Sequence, residues 1–476
     1  MEVVVGRIAS GWPRVWAARS IATTLGALAI ACPAFLYGFL IHATERPPYR
    51  TLVSAYYAVR SHPALQPVVD RILGTPAPPG NWLPATSGPE DPAQDEIERL
   101  QALGYVAGTD PAPAARGITV YDRERAGSGL NLYTSGHAPE ATLMTMDGRV
   151  LHRWRLSFTE AFPGRVPPTD AMGIDSWRRA FVDRSGNLLA IFEGQGLVKI
   201  DRNSQPIWAL ANGSHHDLDL DPDGQIHVLT RMAHVVPAFH PWKPILEDFI
   251  TVLSADGSER SRRSLLEAFE RSPYASLLDQ ARRDGGDIFH TNTLELMDGH
   301  LAHLSPLFEA GNALVSLNSL NTIAIVDLDE NEVAWALTGL SRGQHSATVL
   351  ENGHLLFLDN LGNGGLSKVV EIDPLTQRIV WSFPGDRSAD FVTQSCGAVQ
   401  RLHNGNTLIT LSNRGRAIEV TPDREVVWEF VSPHRAGERD ELVANLFEVQ
   451  RLEPDFPLDW LTGSQEPLVP AVPAAR

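Results

Sequence analysis

The chain has 476 residues, 43% of them apolar, with 38 glycines and 34 prolines, enough to bury a sizeable core and to turn the backbone many times. A formal charge of −17 argues against nucleic acid as a partner, because phosphate binding needs clustered Lys and Arg. The two cysteines are Cys32, in an apolar N-terminal run, and Cys396, far down the chain, so no disulfide is expected.

Residues 1–20 carry Arg7, Arg14 and Arg19, and residues 21–41 form an uncharged apolar run. A helix needs about 20 such residues to cross a bilayer. The run exceeds the roughly 7–15 residues of a cleaved signal core, and no A-x-A site follows it. The expectation is a single-pass helix in the cytoplasmic (inner) membrane. Arginines ahead of it put the N-terminus in the cytoplasm and the rest on the periplasmic side. Residues 42–116 then read as an amphipathic juxtamembrane helix over Tyr49–Gly74 and a Pro/Ala/Gly-rich linker from Thr75 to Arg116. That linker holds one short helix, Asp95–Gly104, closed by its glycine.

From residue 117 to residue 462 one phrase recurs: DRSGNLLAIF from Asp183, DPDGQIHVLT from Asp221, ENGHLLFLDN from Glu351 and HNGNTLITLS from His403. Alternating apolar residues on either side of a Gly-containing turn predict β-hairpins. Most repeats close on a tryptophan, at Trp154, Trp208, Trp335, Trp381 and Trp428, the last three 46 and 47 residues apart. A period of roughly 40–50 residues made of short antiparallel strands is the signature of a β-propeller. The gap of 127 residues from Trp208 to Trp335 fits two blades with an insertion and one lost tryptophan.

Five repeats follow Arg178, and a sixth is assembled from Asn131–Trp154 and a late strand in Asn445–Glu453, which closes the ring. The fold class is therefore all-β, a six-bladed β-propeller behind an N-terminal transmembrane helix and a linker, with residues 463–476 as a tail. Leu265–Arg283 has helical spacing and reads as an insertion between blades. Val236–Pro244 reads as an irregular loop whose aromatics either line a pocket or pack.

Histidines recur at one point of this repeat. His345 lies seven residues before Asn352 of its turn, His216 seven before Asp223, and His290 eight before Asp298. In a propeller these strand starts converge on one mouth of the central channel. Neutral imidazole serves there as a nucleophile or as a general acid or base. Three histidines and a water would alternatively suit zinc, a reading that His215 and Asp217 strengthen. The Asp219, Asp221, Asp223, Gly224 series imitates a calcium loop, but Thr230 stands where its glutamate belongs, so it reads as a strand entering a turn. Neither a G-x-S-x-G elbow nor a P-loop is present.

HHDLDLDPDG, DIFHTNTLEL, SLNSLNTIAIVD, GQHSATVLENG and GAVQRLHNGNTLI together resemble the bacterial arylsulfotransferases, over about residues 117–453. The resemblance implies a six-bladed propeller outside the cytoplasmic membrane. It also implies transfer of a sulfuryl group from a phenolic sulfate ester to a phenol, through a sulfo-histidine, with neither a nucleotide donor nor a cofactor or metal. It puts the nucleophile on His345, beside Gln344, a second histidine on His290 with Asn292 as companion, and a third on His216, or on His215 with a one-residue shift. Either His216 or His290 would then move the phenolic proton, with Asn292 and Asn318 bonding sulfate oxygens. Asn318 stands where the family carries its active-site arginine, which leaves Arg231, Arg342 and Arg178 as candidates for that charge. Two other readings remain open: a membrane-tethered binding propeller without chemistry, and a metal-dependent hydrolase using the same histidines.

Overall fold

A computed structural model describes residues 112–166, 173–384, 391–437 and 439–461. The expected membrane span at 21–41, the juxtamembrane and linker helices, and the tail lie outside these residues. Among the described residues no helix is long and apolar enough to cross a membrane.

Six sheets, each built on four antiparallel strands, form the propeller, and two of them carry a fifth strand. Blade 1 is composite, as the sequence suggests: Leu446–Leu452 pairs with Leu130–Ser135, and Glu140–Met144 and Val150–Arg155 complete the sheet. The ring is thus closed by the end of the chain pairing with its beginning. Blades 2 to 6 open with the inner strands Arg179–Val182, Ser214–Leu220, Thr291–Leu296, His345–Val349 and Ala398–Arg401. A fifth strand, Gly117–Tyr121, covers the outer edge of blade 6 by pairing with Val426–Val431.

The recurring tryptophans have a common task. Four outer-strand indoles donate to a turn of the next blade: Trp154 to Gly186, Trp208 to Ala255, Trp381 to Pro422 and Trp428 to Met146, at 2.8–3.1 Å. Blade 3 ends in Glu259–Ser264, which has no tryptophan, and this accounts for the 127-residue gap. Inner strands are joined by side chains instead. Asp217 and Asp219 accept the backbone N–H of Leu294 and Leu296, and Glu295 accepts that of Val349, at 2.8–3.0 Å. These bonds satisfy strand N–H groups that face the channel, where no further strand can pair with them.

The insertion after blade 3 is helical over Leu265–Arg271 and Asp279–Asp284, and its Leu265, Leu266, Phe269 and Leu278 are buried against blades 3 and 4. The loop 236–243 sends Phe239 into the same core, beneath the Arg282 guanidinium at 4.8 Å, so this aromatic packs. The Asp221–Gly224 segment is a turn, in which Asp221 Oδ1 accepts the N–H groups of Asp223 and Gln225.

Candidate active site

The three histidines stand at bent strand entries. His216, His290, Ser346 and Cys396 have φ of 49°, 50°, 53° and 57°, one such residue where the inner strands of blades 3 to 6 begin. Left-handed backbone is uncommon in residues other than glycine. A register shift accompanies each of the first three: opposite Val228 and Thr230 around His216, between Thr291 and Thr293 after His290, and between His345 and Thr348 around Ser346. Such bulges re-aim side chains, here at the start of the channel. In blades 3 and 4 the left-handed residue is the histidine itself, and in blade 5 it is the residue after His345.

His345 is buried, with 4% exposure. Its Nδ1 lies 3.0 Å from the Gly343 carbonyl and 2.9 Å from Asn360 Oδ1. The Asn360 amide is oriented without ambiguity, because its nitrogen donates to the carbonyls of Thr393 and Cys396, both at 2.8 Å. Oδ1 therefore faces the ring, Nδ1 carries the proton, and Nε2 keeps its lone pair. Burial, helped by the Arg178 charge, pushes the imidazole down to about 3, so the ring is neutral at physiological pH. Neutral imidazole with a free Nε2 is the nucleophilic form.

His290 is held differently. Asp287 accepts its backbone N–H at 3.0 Å and faces its Nδ1, also at 3.0 Å. A carboxylate facing Nδ1 orients the ring, as the partner of an acid–base histidine does. The His290 side chain is 22% exposed, the most accessible of the three.

Ring contacts distinguish His215 from His216. His216 lies 5.1 Å from His290, centroid to centroid, whereas His215 is fully buried behind it with Nε2 3.6 Å from Asp248. The two Nδ1 atoms are 3.0 Å apart. Burial keeps both imidazoles well below the ordinary value, assisted by Arg178 at His216 and by Arg231 at His215.

Glu193, in the second hairpin loop of blade 2, accepts the His216 N–H at 3.2 Å and lies 3.6 Å from Arg178 Nε. Arg231 packs over Gly194, where a Cβ would come within 1.9 Å of its Nη2 and φ is +68°. Glu193, His215 and His216 together have the donor atoms to hold a metal, all within 4.8 Å. Burial raises the Glu193 carboxyl above its ordinary value, and the Arg231 and Arg178 guanidiniums, which favour its charged form, only partly oppose that rise. A dication there would have to compete with both.

Of the remaining expected residues, Asn292 donates to the Gln344 carbonyl at 2.7 Å and so ties the His290 strand to the residue before His345. Gln344 has no exposure, and its amide nitrogen serves Ser316, Leu317 and Thr322. These bonds, with Asn292 on its carbonyl, join blades 4 and 5. Asn318 follows the second strand of blade 4, its backbone N–H on the His290 carbonyl at 3.2 Å. Arg342 is exposed.

Asn360, Asp287, Asp248 and Glu193 were not foreseen. Asp287 had a usable signal, a carboxylate three residues before a repeat histidine. The others reach the site from second and third strands or hairpin loops, where the repeat carries no histidine to mark them.

A family model described as Arylsulfotransferase (ASST) matches residues 183–433, more than half of the chain. The chain belongs to the arylsulfotransferase family. By family this propeller is a sulfotransferase. Comparison with curated proteins returns no match. Among solved structures, a Bacteroides caccae protein of unknown function is 13% identical, with 64% of this chain and 94% of that one covered and a TM-score of 0.43. A streptogramin B lyase (14% identity, 72% and 94% covered, TM-score 0.40) and a Staphylococcus aureus virginiamycin B lyase (13%, 71% and 94%, 0.39) are similar at the same level. These likenesses carry no functional argument.

Proposed function

We propose that this arylsulfotransferase moves a sulfuryl group from a phenolic sulfate ester to a phenol by two displacements through His345. The observation that carries the reading is the neutral, tautomerically fixed His345 with Nε2 free, beside a second histidine set on a carboxylate. Nε2 attacks sulfur, and the N–S bond forms as the bond from sulfur to the phenolic oxygen breaks. His290, as imidazolium, gives its Nε2 proton to the departing phenolate. The sulfo-imidazolium at His345 keeps its Nδ1 proton on Asn360 and Gly343, which offset its charge. An acceptor phenol then returns a proton to His290, its oxygen attacks sulfur, and His345 recovers its lone pair. Splitting the transfer lets one neutral imidazole serve as nucleophile while another handles protons. His290 suits the proton role better than His216, which is more deeply buried and has no carboxylate on its ring as close as Asp287.

The test is full-length protein with 4-nitrophenyl sulfate, with and without phenol, beside His345→Ala and after chelator treatment. Phenol-dependent nitrophenol release that survives the chelator and is lost in the variant supports the reading. Chelator-sensitive release without acceptor would instead favour a hydrolase built on Glu193, His215 and His216. No release with any phenol would leave a binding propeller.

We further propose that residues 21–41 anchor the propeller to the cytoplasmic membrane on its periplasmic side. Recovery of the full chain in the soluble fraction, without detergent, would contradict this.

A further inference from the structure

Sulfuryl transfer spreads negative charge over three oxygens, and fixed positive charge aimed at them is the expected catalyst. Asn318, where the resemblance leads one to look for an arginine, is neutral. Among the three arginines that could supply the charge, Arg342 is exposed, and Arg231 packs across Gly194 on the side of His215. Arg178 differs from both. It is the last residue before the inner strand of blade 2, fixed by its backbone N–H to the Ile191 carbonyl at 2.9 Å. Its side chain is 8% exposed, and its Cζ stands 5.3 Å over the Phe447 ring of blade 1. Its nearest carboxylate, Glu193, is 3.6 Å from Nε, beyond ordinary hydrogen-bond length, and Nε has no hydrogen-bond partner among the described residues. A guanidinium N–H buried without a partner is costly, and an anion is the ligand that would relieve it.

We propose that Arg178 binds the oxygens of the sulfuryl group throughout its passage between phenolic oxygen and His345, and so takes from blade 2 the role that Asn318 leaves vacant in blade 4. The inference rests on His345 as the sulfuryl carrier. Arg178 gives up no proton and forms no covalent bond in the step. It donates N–H groups while the S–O bond breaks, the N–S bond forms and the proton passes from His290. Its placement agrees with the electrostatics, since after burial its charge weighs most on both His345, the proposed sulfuryl carrier, and His216, whose ring neighbours His290. A planar fork of donors can hold two oxygens at once, which a lysine ammonium cannot.

The experiment compares full-length wild type with Arg178→Lys, Arg178→Met and the double variant Arg178→Met/Asn318→Arg, each checked for unchanged thermal unfolding. Expected are a roughly 10²- to 10³-fold fall in kcat for Arg178→Met with a smaller change in KM, and an intermediate fall for Arg178→Lys. Recovery of at least about tenfold is expected in the double variant, or on adding guanidinium ion to Arg178→Met. A merely structural arginine would show neither rescue. If wild type transfers sulfuryl and folded Arg178→Met keeps its kcat, or loses it with neither rescue, the assignment of Arg178 is wrong while the His345 reading stands. If wild type transfers nothing, the His345 reading fails, and this inference fails with it.

Discussion

His345 Nδ1 lies 2.9 Å from Oδ1 of Asn360, an amide whose other end is pinned by two carbonyls of the connector between blades 5 and 6. With the Gly343 carbonyl, 3.0 Å from the same nitrogen, it keeps the proton on Nδ1 and leaves Nε2 free. Asn360→Ala removes one of the two acceptors on Nδ1 and one donor to the carbonyls of Thr393 and Cys396. A hydrogen bond to a charged group contributes about 1.5–3 kcal/mol, so kcat is expected to fall roughly 10- to 100-fold. Steady-state kinetics of the folded variant check this, and an unaltered kcat would contradict it.

Asp287→Asn tests the proton role of His290. With the carboxylate gone, transfer from sulfates of weakly acidic phenols should fall by about 10²- to 10⁴-fold, because such leaving groups need a proton. Transfer from 4-nitrophenyl sulfate, whose phenolate departs readily, should fall far less. A loss that is equal across leaving groups would show Asp287 to be structural only.

The distance between sequence and site is greatest at these two residues. The blade count, the composite first blade, the helical insertion and the missing tryptophan of blade 3 were all legible, because a repeat writes its period into apolar spacing and Trp positions. The histidines were legible for the same reason, although similar spacing concealed a difference: His216 and His290 are left-handed residues, and His345 precedes one. Asn360 was not legible. It lies inside an apolar strand, LLFLDN, and its meaning comes from Thr393 and Cys396, more than thirty residues away and in another blade's connector. Gln344 is the converse case: its place beside His345 suggests substrate, whereas its amide nitrogen meets Ser316, Leu317 and Thr322 of blade 4.

Stability should decline on both sides of mildly acidic pH. His345 has a folded value near 3 against an ordinary value of 6.5, so its contribution is fully present above about pH 6.5 and is lost as pH falls toward 3. His215 and His216 act in the same direction. Glu295 is the reverse: burial raises it from 4.5 to about 8, so its contribution is present below about pH 4.5 and is lost as pH rises toward 8. Unfolding midpoints measured from pH 4 to 9 should therefore pass through a maximum. Glu295→Gln should reduce the alkaline decline and leave the acidic one, and an unchanged alkaline limb would contradict this.

Trp428→Phe tests the ring latch apart from the chemistry. The indole N–H holds the Met146 carbonyl at 2.9 Å and joins blade 6 to blade 1. Loss of the donor leaves a buried carbonyl unpaired, a cost of about 1–3 kcal/mol, to which the smaller ring adds a cavity. Denaturant unfolding should register that loss, with kcat per folded molecule unchanged because the tryptophan is in an outer strand. A variant as stable as wild type would remove the latch from the account.

The central claim is that the sulfuryl group resides on His345 between donor and acceptor. The most direct measurement is to mix full-length protein with an aryl sulfate in the absence of phenol, quench under alkaline conditions that spare a nitrogen–sulfur bond, and locate any added SO3 by peptide mass spectrometry. The account predicts SO3 on His345, discharged when phenol is added before the quench and absent from His345→Ala. Phenol-dependent transfer without labelled protein, or a label on another residue that persists in His345→Ala, would contradict it.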